Sequence, residues 1–185
     1  MKPKKIFTPI MDNDIKKLKV GDIVAISGTI YTARDAAHKR MIEMIKKDEK
    51  LPFNIENEII YYVGPCPARE GCVIGSSGPT TSSRMDIYTP QLLELGLKGM
   101  IGKGKRNSIV IESMKKNKAV YFGAIGGAGA LISMSIVEQK VIAFDDLESE
   151  AIRQLKVIDF PTVVIIDLNG NNMYEIEREN FKNYN

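Results

Sequence analysis

Apolar positions along this chain fall into two kinds of run. Short blocks rich in β-branched and aromatic residues predict strands at Ile23–Tyr31, Ile59–Val63, Val73–Gly75, Lys98–Ile101, Ala119–Phe122 and Thr162–Ile166. Smaller strands are expected near Ser135–Val137 and Val141–Phe144. Between these blocks, apolar residues recur at helical spacing. The first such helix is expected over Arg34–Lys47, with Ala37, Met41, Met44 and Ile45 on its buried face. Thr32-Ala-Arg-Asp35 in front of it reads as a capping box. A second helix should begin at Thr89, with Pro90 in its first turn, and stop at Gly96. A third is expected over Ser108–Asn117 and a fourth over Leu147–Leu155. Gly21-Asp22 and Asp167-Leu-Asn-Gly-Asn-Asn172 read as turns, and the charged stretch 175–185 as a loose tail. Strands alternating with helices predict an α/β class.

Composition narrows this picture only slightly. The 185 residues suit one domain with a real core, and 44% hydrophobic residues is ordinary for a globular chain. No run of eighteen apolar residues predicts a membrane span, and the basic start, Met1–Lys5, lacks the apolar stretch of a signal peptide. A net charge of +3 is too mild for a nucleic-acid footprint, although it suits a small anion. The two cysteines, Cys66 and Cys72, are six apart, and there is a single histidine. Alone they cannot fill a four-ligand zinc or iron–sulfur site, and they read as reduced thiols of a cytoplasmic protein.

Several stretches could carry chemistry. Arg34 and His38 are four apart and share a helix face. Arg34 at the helix start could hold a carboxylate, or could make an internal ion pair with Asp35 or Asp86. His38 reads as a core histidine. The loop Ser76-Ser-Gly-Pro-Thr-Thr-Ser-Ser-Arg84-Met-Asp86 is rich in hydroxyls. Its backbone N–H groups and hydroxyls could converge on an anion beside the Arg84 fork, or it could be a plain surface turn. Gly102-Lys-Gly-Lys-Arg-Asn107 is a basic, glycine-rich turn without the spacing of a P-loop, which reads by default as solvated but could bring Lys103 and Lys105 to a ligand. Gly123-Ala-Ile-Gly-Gly-Ala-Gly129 imitates a dinucleotide fingerprint, but the spacing is wrong, and close packing or approach to a partner subunit is the better reading. Arg34, Arg84 and Lys103 each follow an expected strand. Strands converging on one edge would gather them into a pocket for a compact polyanion.

Ser27-Gly-Thr-Ile-Tyr-Thr-Ala-Arg-Asp-Ala-Ala-His38, Tyr62-Val-Gly-Pro-Cys66, Gly78-Pro-Thr-Thr-Ser-Ser-Arg-Met-Asp86, Gly102-Lys-Gly and Asp159-Phe-Pro-Thr-Val together resemble the β subunit of class I, iron–sulfur-dependent fumarate hydratases. L(+)-tartrate dehydratase β subunits share the plan. The resemblance runs in order over nearly the whole chain. It implies a swivelling β/β/α domain with a mostly parallel central sheet and helices, spanning 1–185 as one domain equivalent to the C-terminal domain of fused-chain fumarases. It implies a larger α subunit as partner, an α2β2 assembly, and a [4Fe–4S] cluster held by that partner, so no metal ligand is expected in this chain. The substrate would be a C4 dicarboxylate, with fumarate favoured over tartrate. Position by position, Arg34, Thr80, Arg84 and Lys103 match substrate-contacting residues, and Thr80 matches the threonine proposed to take the C3 proton of malate. Asp35, His38, Thr81 and Asp86 would support them. The chain departs from fused members at Ser82-Ser83 and Lys105, none of them a matched position.

Overall fold

The computed structural model describes residues 2–124 and 129–182. Seven strands form one sheet among these residues: β1 (Lys4–Phe7), β2 (Ile23–Thr32), β3 (Ile59–Tyr61), β4 (Gly99–Gly102), β5 (Val120–Gly123), β6 (Ile136–Ala143) and β7 (Ile152–Ile166). Strands β1 to β5 pair side by side in parallel. The fifteen-residue β7 runs antiparallel to β2, β5 and β6. The sheet is therefore mixed rather than mostly parallel, and through β7 the ring β2–β3–β4–β5–β7 closes back on β2.

Helices α1 (Asp12–Ile15), α2 (Asp35–Lys46), α3 (Thr89–Glu94), α4 (Ser108–Asn117), α5 (Gly129–Met134) and α6 (Met173–Lys182) complete the described elements, with 3-10 turns at Ser82–Met85 and Asp145–Glu150. The α/β class is thus observed. The charged stretch from Glu175 belongs to α6 as far as Lys182. The sequence motif at 123–129 falls largely on 125–128, outside the described residues.

Strands β3, β4 and β5 are buried on both faces, which is why their sequences are continuously apolar, whereas the edge strand β1 is mostly exposed. Along β3 and its extension, Ile59, Tyr61 and Val63 pack inside the ring with Ile26, Phe122, Phe160 and Val164. Ile60 and Tyr62 pack outward, against Met41 of α2, Leu92 of α3 and Met114 of α4. This alternation stacks three layers: β7 with β2, the parallel strands, and the helices. Each fully buried large aliphatic contributes about 1.5–3 kcal/mol.

Four expected elements differ from those observed. Val73–Gly75 forms no strand, and Ser135–Val137 and Val141–Phe144 lie mostly in the single strand β6. Leu147–Leu155 is not a helix: a 3-10 turn ends at Glu150, and β7 begins at Ile152. The three-residue spacing of Ile152 and Leu155 imitates a helix because they face opposite apolar layers of one strand.

Candidate functional site

Strands β2, β3 and β4 lie parallel and adjacent, so their C-terminal ends share one edge. Three chain segments leave that edge. Arg34 lies two residues beyond β2, directly before the first residue of α2. Gly64 lies beyond β3, at the start of the long loop that returns through Thr80 and Arg84. Lys103 directly follows β4.

Arg34 is held at its carbonyl and at Nη2, while its buried Nε–H meets no acceptor. Its carbonyl accepts from the His38 N–H at 2.8 Å and from His38 Nδ1 at 2.8 Å. Its guanidinium Nη2 lies 3.1 Å from Glu150 Oε1 and 3.6 Å from Asp35 Oδ2. Gly64 passes so close that a Cβ there would sit 2.9 Å from Arg34 Nη1. The expected capping box does not form. Thr32 belongs to β2, and its hydroxyl donates to the Ala151 carbonyl and accepts from the Arg153 N–H. The N-terminus of α2 is capped instead by Glu150, whose Oε2 accepts from the Ala36 N–H at 3.1 Å.

Asp35 links Arg34 to Arg84, whose Nη1 lies 3.9 Å from Asp35 Oδ1. The Arg84 side chain is 58% exposed, that of Arg34 20%. Thr80 is half-buried and anchored by its N–H on the Tyr62 carbonyl at 2.7 Å. Thr81 and Lys103 are exposed and form an isolated parallel bridge, with the Ser82 N–H on the Lys103 carbonyl at 2.9 Å. A Cβ at Gly102 would overlap Ser82 Oγ, so the two loops meet only because that residue is glycine. The structure thus joins Arg34 to Arg84, and Thr81 to Lys103. Asp35 and Glu150 are the carboxylates paired with these arginines.

Two other named residues lie away from that face. Asp86 is buried and accepts from Arg106 Nε at 2.7 Å and from the Asn107 N–H at 2.8 Å. It is a structural ion pair that ties the Arg84 turn to the Lys103 loop, and Arg34 does not reach it. His38 is fully buried between Tyr62 and Tyr88, and burial pushes its pKa down to about 4. It stays a neutral core imidazole, with Nδ1–H donating to Arg34.

Sequence reasoning missed Arg106 and Glu150. Arg106 looked like one more cation of a solvated turn, yet its side chain is fully buried. Nη2 donates to Thr89 Oγ1 at 2.7 Å, Nη1 donates to the Tyr62 hydroxyl at 3.3 Å, and the group lies over the rings of Tyr62 and Tyr121. Glu150 stands 114 residues from its hydrogen-bond partner Ala36, and its acidic run, Asp145-Asp-Leu-Glu-Ser-Glu150, carries no local sign of a helix cap.

The chemistry of the donor set also bears on metals. Cys66 and Cys72 are exposed free thiols lining a cavity of about 350 Å³ with Arg69 and Ser76. Among the described residues no three His, Cys, Asp or Glu side chains are grouped to hold a metal ion. Two thiols and one buried imidazole do not fit a cluster with three protein ligands. Nor is any helix among the described residues long and apolar enough to cross a membrane.

Fold and site together define an α/β domain that carries Arg34, Arg84 and Lys103 on segments leaving the C-terminal edge of parallel strands. A family profile described as Fumarase C-terminus matches residues 4–177. The chain is 40% identical, over 91% of its length and 90% of the relative's, to a Methanocaldococcus jannaschii protein named "Putative L(+)-tartrate dehydratase subunit beta". It is 37% identical, over 86% of its length, to fumarate hydratase 2 of Leishmania major, but spans only 28% of that protein. It is 36% identical, over 87% of its length, to the aerobic class I fumarate hydratase of Escherichia coli, of which it spans 30%. The chain belongs to the Fumarase C-terminus family.

Proposed function

We propose that this chain is the β subunit of an iron–sulfur hydro-lyase that reversibly hydrates fumarate to L-malate, active only with a larger α subunit. One observation carries the reading. In a chain of this family, Arg34 and Arg84 are joined through Asp35 on an open face where parallel strands end. Two carboxylates of a C4 acid suit two guanidinium forks and a lysine. The fumarate hydratases this chain resembles extend far beyond the matched segment, which leaves room for a partner body to close the face. The reading includes an α2β2 assembly, a swivelling β/β/α domain, for which the three layers speak, and a cytoplasmic setting in which Cys66 and Cys72 stay reduced. A second reading, L(+)-tartrate dehydratase, is favoured by the M. jannaschii relative, matched over 90% of its length as a separate subunit.

The [4Fe–4S] cluster of such an enzyme does not fit this chain's donors and belongs on the larger subunit. This chain's own part is to grip and orient. Arg34, Arg84 and Lys103 hold the carboxylates, and Thr81 adds a hydroxyl. Thr80 is the candidate base for the C3 proton of malate. A hydroxyl is a poor base near neutral pH, so the role needs the positive potential of Arg84 and Lys103 to stabilise the alkoxide.

The test is anaerobic co-expression with the larger subunit, then assay of fumarate, L(+)-tartrate and mesaconate side by side. Fumarate turnover above the others supports the first reading, and tartrate turnover the second. Dicarboxylate binding without turnover would reduce the chain to a binding module. In the active complex, Thr80→Ala should lower kcat by about 100-fold or more with KM little changed. A loss confined to KM removes the base assignment.

A further inference from the structure

The 3-10 turn Asp145–Glu150 lies far along the chain from the cationic face, yet it is fastened to the start of α2. Arg40 Nη1 donates to Asp146 Oδ1 at 2.7 Å, and the Arg40 guanidinium lies 5.3 Å from the centre of the Phe144 ring. Arg153 Nη2 donates to the Glu148 carbonyl at 3.2 Å. Phe144 and Glu148 take positive φ of 60° and 51°, a backbone that L-residues adopt only when contacts enforce it. The segment is thus shaped against its local preference, and that shape delivers Glu150. One Glu150 oxygen faces Arg34 Nη2 at 3.1 Å, and the other accepts from the Ala36 N–H at 3.1 Å. Gly64 closes the far side of the guanidinium.

We propose that Glu150 is a positioning residue for the carboxylate grip: bound to the first turn of α2, it fixes the Arg34 fork. This rests on the proposed dicarboxylate reading. A guanidinium on a flexible stem loses rotamer freedom when it binds. Glu150 and Asp35 remove most of that freedom in advance, so the substrate carboxylate meets a fork already in place. Asp35 also faces Arg84, whereas Glu150 serves Arg34 alone among the described ion pairs. Glu150 is therefore the residue whose loss should unsettle Arg34 and spare Arg84.

The test uses the complex with the larger subunit and, in parallel, the full chain. Glu150→Gln keeps an oxygen for the Ala36 N–H and removes the charge facing Arg34. It should raise KM for the C4 dicarboxylate about tenfold, with kcat within about threefold. Glu150→Asp should recover part of the loss. Arg34→Lys with Glu150→Gln should be no worse than Arg34→Lys alone. In the full chain, the Arg34 Nε–H resonance, identified by its disappearance in Arg34→Lys, should shift or broaden in Glu150→Gln. An unchanged KM, effects of the two substitutions that multiply, or an unmoved Arg34 resonance would each overturn the proposal. A complex that hydrates no C4 dicarboxylate ends the proposed reaction, while the resonance still decides whether Glu150 positions Arg34.

Discussion

Arg106 and Arg84 stand in neighbouring segments of one surface, and their surroundings give them opposite roles. Arg106 is fully enclosed: a carboxylate, two hydroxyls and two aromatic faces occupy it. Arg84 is 58% exposed and touches one carboxylate oxygen at 3.9 Å. A buried guanidinium is tolerated only when its donors are satisfied, so its free energy is committed to the fold. An exposed one, already leaning on a carboxylate, costs the fold little and keeps a fork for a ligand. Arg34 stands between them, 20% exposed and carrying two carboxylates, a grip assembled in advance. Residue type alone did not separate these arginines; the count of satisfied donors did.

The contrast can be broken first at its closed end. Arg106→Ala strands Asp86 without its partner and should cost about 3–5 kcal/mol, read as a fall in the urea midpoint. A loss under about 1 kcal/mol would mean that the pair is not structural. His38 offers a pH lever in the same closed region. The folded imidazole titrates at about 4 instead of its usual 6.5, so as pH falls through that window the unfolded chain takes up the proton first. Stability should therefore be full above about pH 6.5 and fall by up to about 3 kcal/mol by pH 4, and His38→Phe should remove that slope in urea titrations repeated across pH. At the open end, Arg84→Lys keeps the charge and loses the fork. It should raise KM in the active complex about 10- to 100-fold, and unchanged kinetics would dismiss the clamp. The smallest effect sharpens the comparison most. Arg84→Ala should alter the stability of the chain by no more than about 0.5 kcal/mol, where Arg106→Ala alters it several-fold more.

Much of the fold could be read from local pattern. Helix α4 falls on the expected Ser108–Asn117 because its signals are local: Asn107 accepts from the Val110 N–H at 2.8 Å, and Val110 and Met114 recur on one face. Strands β2 to β5 announce themselves as largely apolar runs, whereas the exposed, lysine-bearing β1 was not expected. What escaped depends on distant partners. Strand β7 hides its period because its cover is uneven, on both faces toward its C-terminal end but open at Lys156, Ile158 and Asp159, and because it bulges around Asp159, φ 48°, which places Val157 and Phe160 three apart in one cluster. Thr32 looked like a cap because nothing nearby shows that its hydroxyl is used by Ala151 and Arg153. The same holds at the site. Arg34 and Lys103 were singled out as cations after strands and do follow β2 and β4, whereas the strand expected ahead of Arg84 at Val73–Gly75 does not form and Arg84 returns to the edge on the long loop after β3. Asp86 was grouped with the site because it lies two residues from Arg84, but its side chain turns inward to an arginine read as solvent-facing.

The closed ring of strands sets an order of events for the folding chain. Ile23 of β2 pairs with Val163 of β7, 140 positions further on. The stretch that carries Arg34, Thr80, Arg84 and Lys103 is therefore complete in sequence long before the strand that seals it. Contacts of that span are slow to form, since a long loop must close before they repay its entropy. Until β7 docks, β2 and β5 present open edges, and Glu150, just ahead of β7, cannot reach Arg34. The grip on the substrate and the closure of the barrel should therefore mature in the same step.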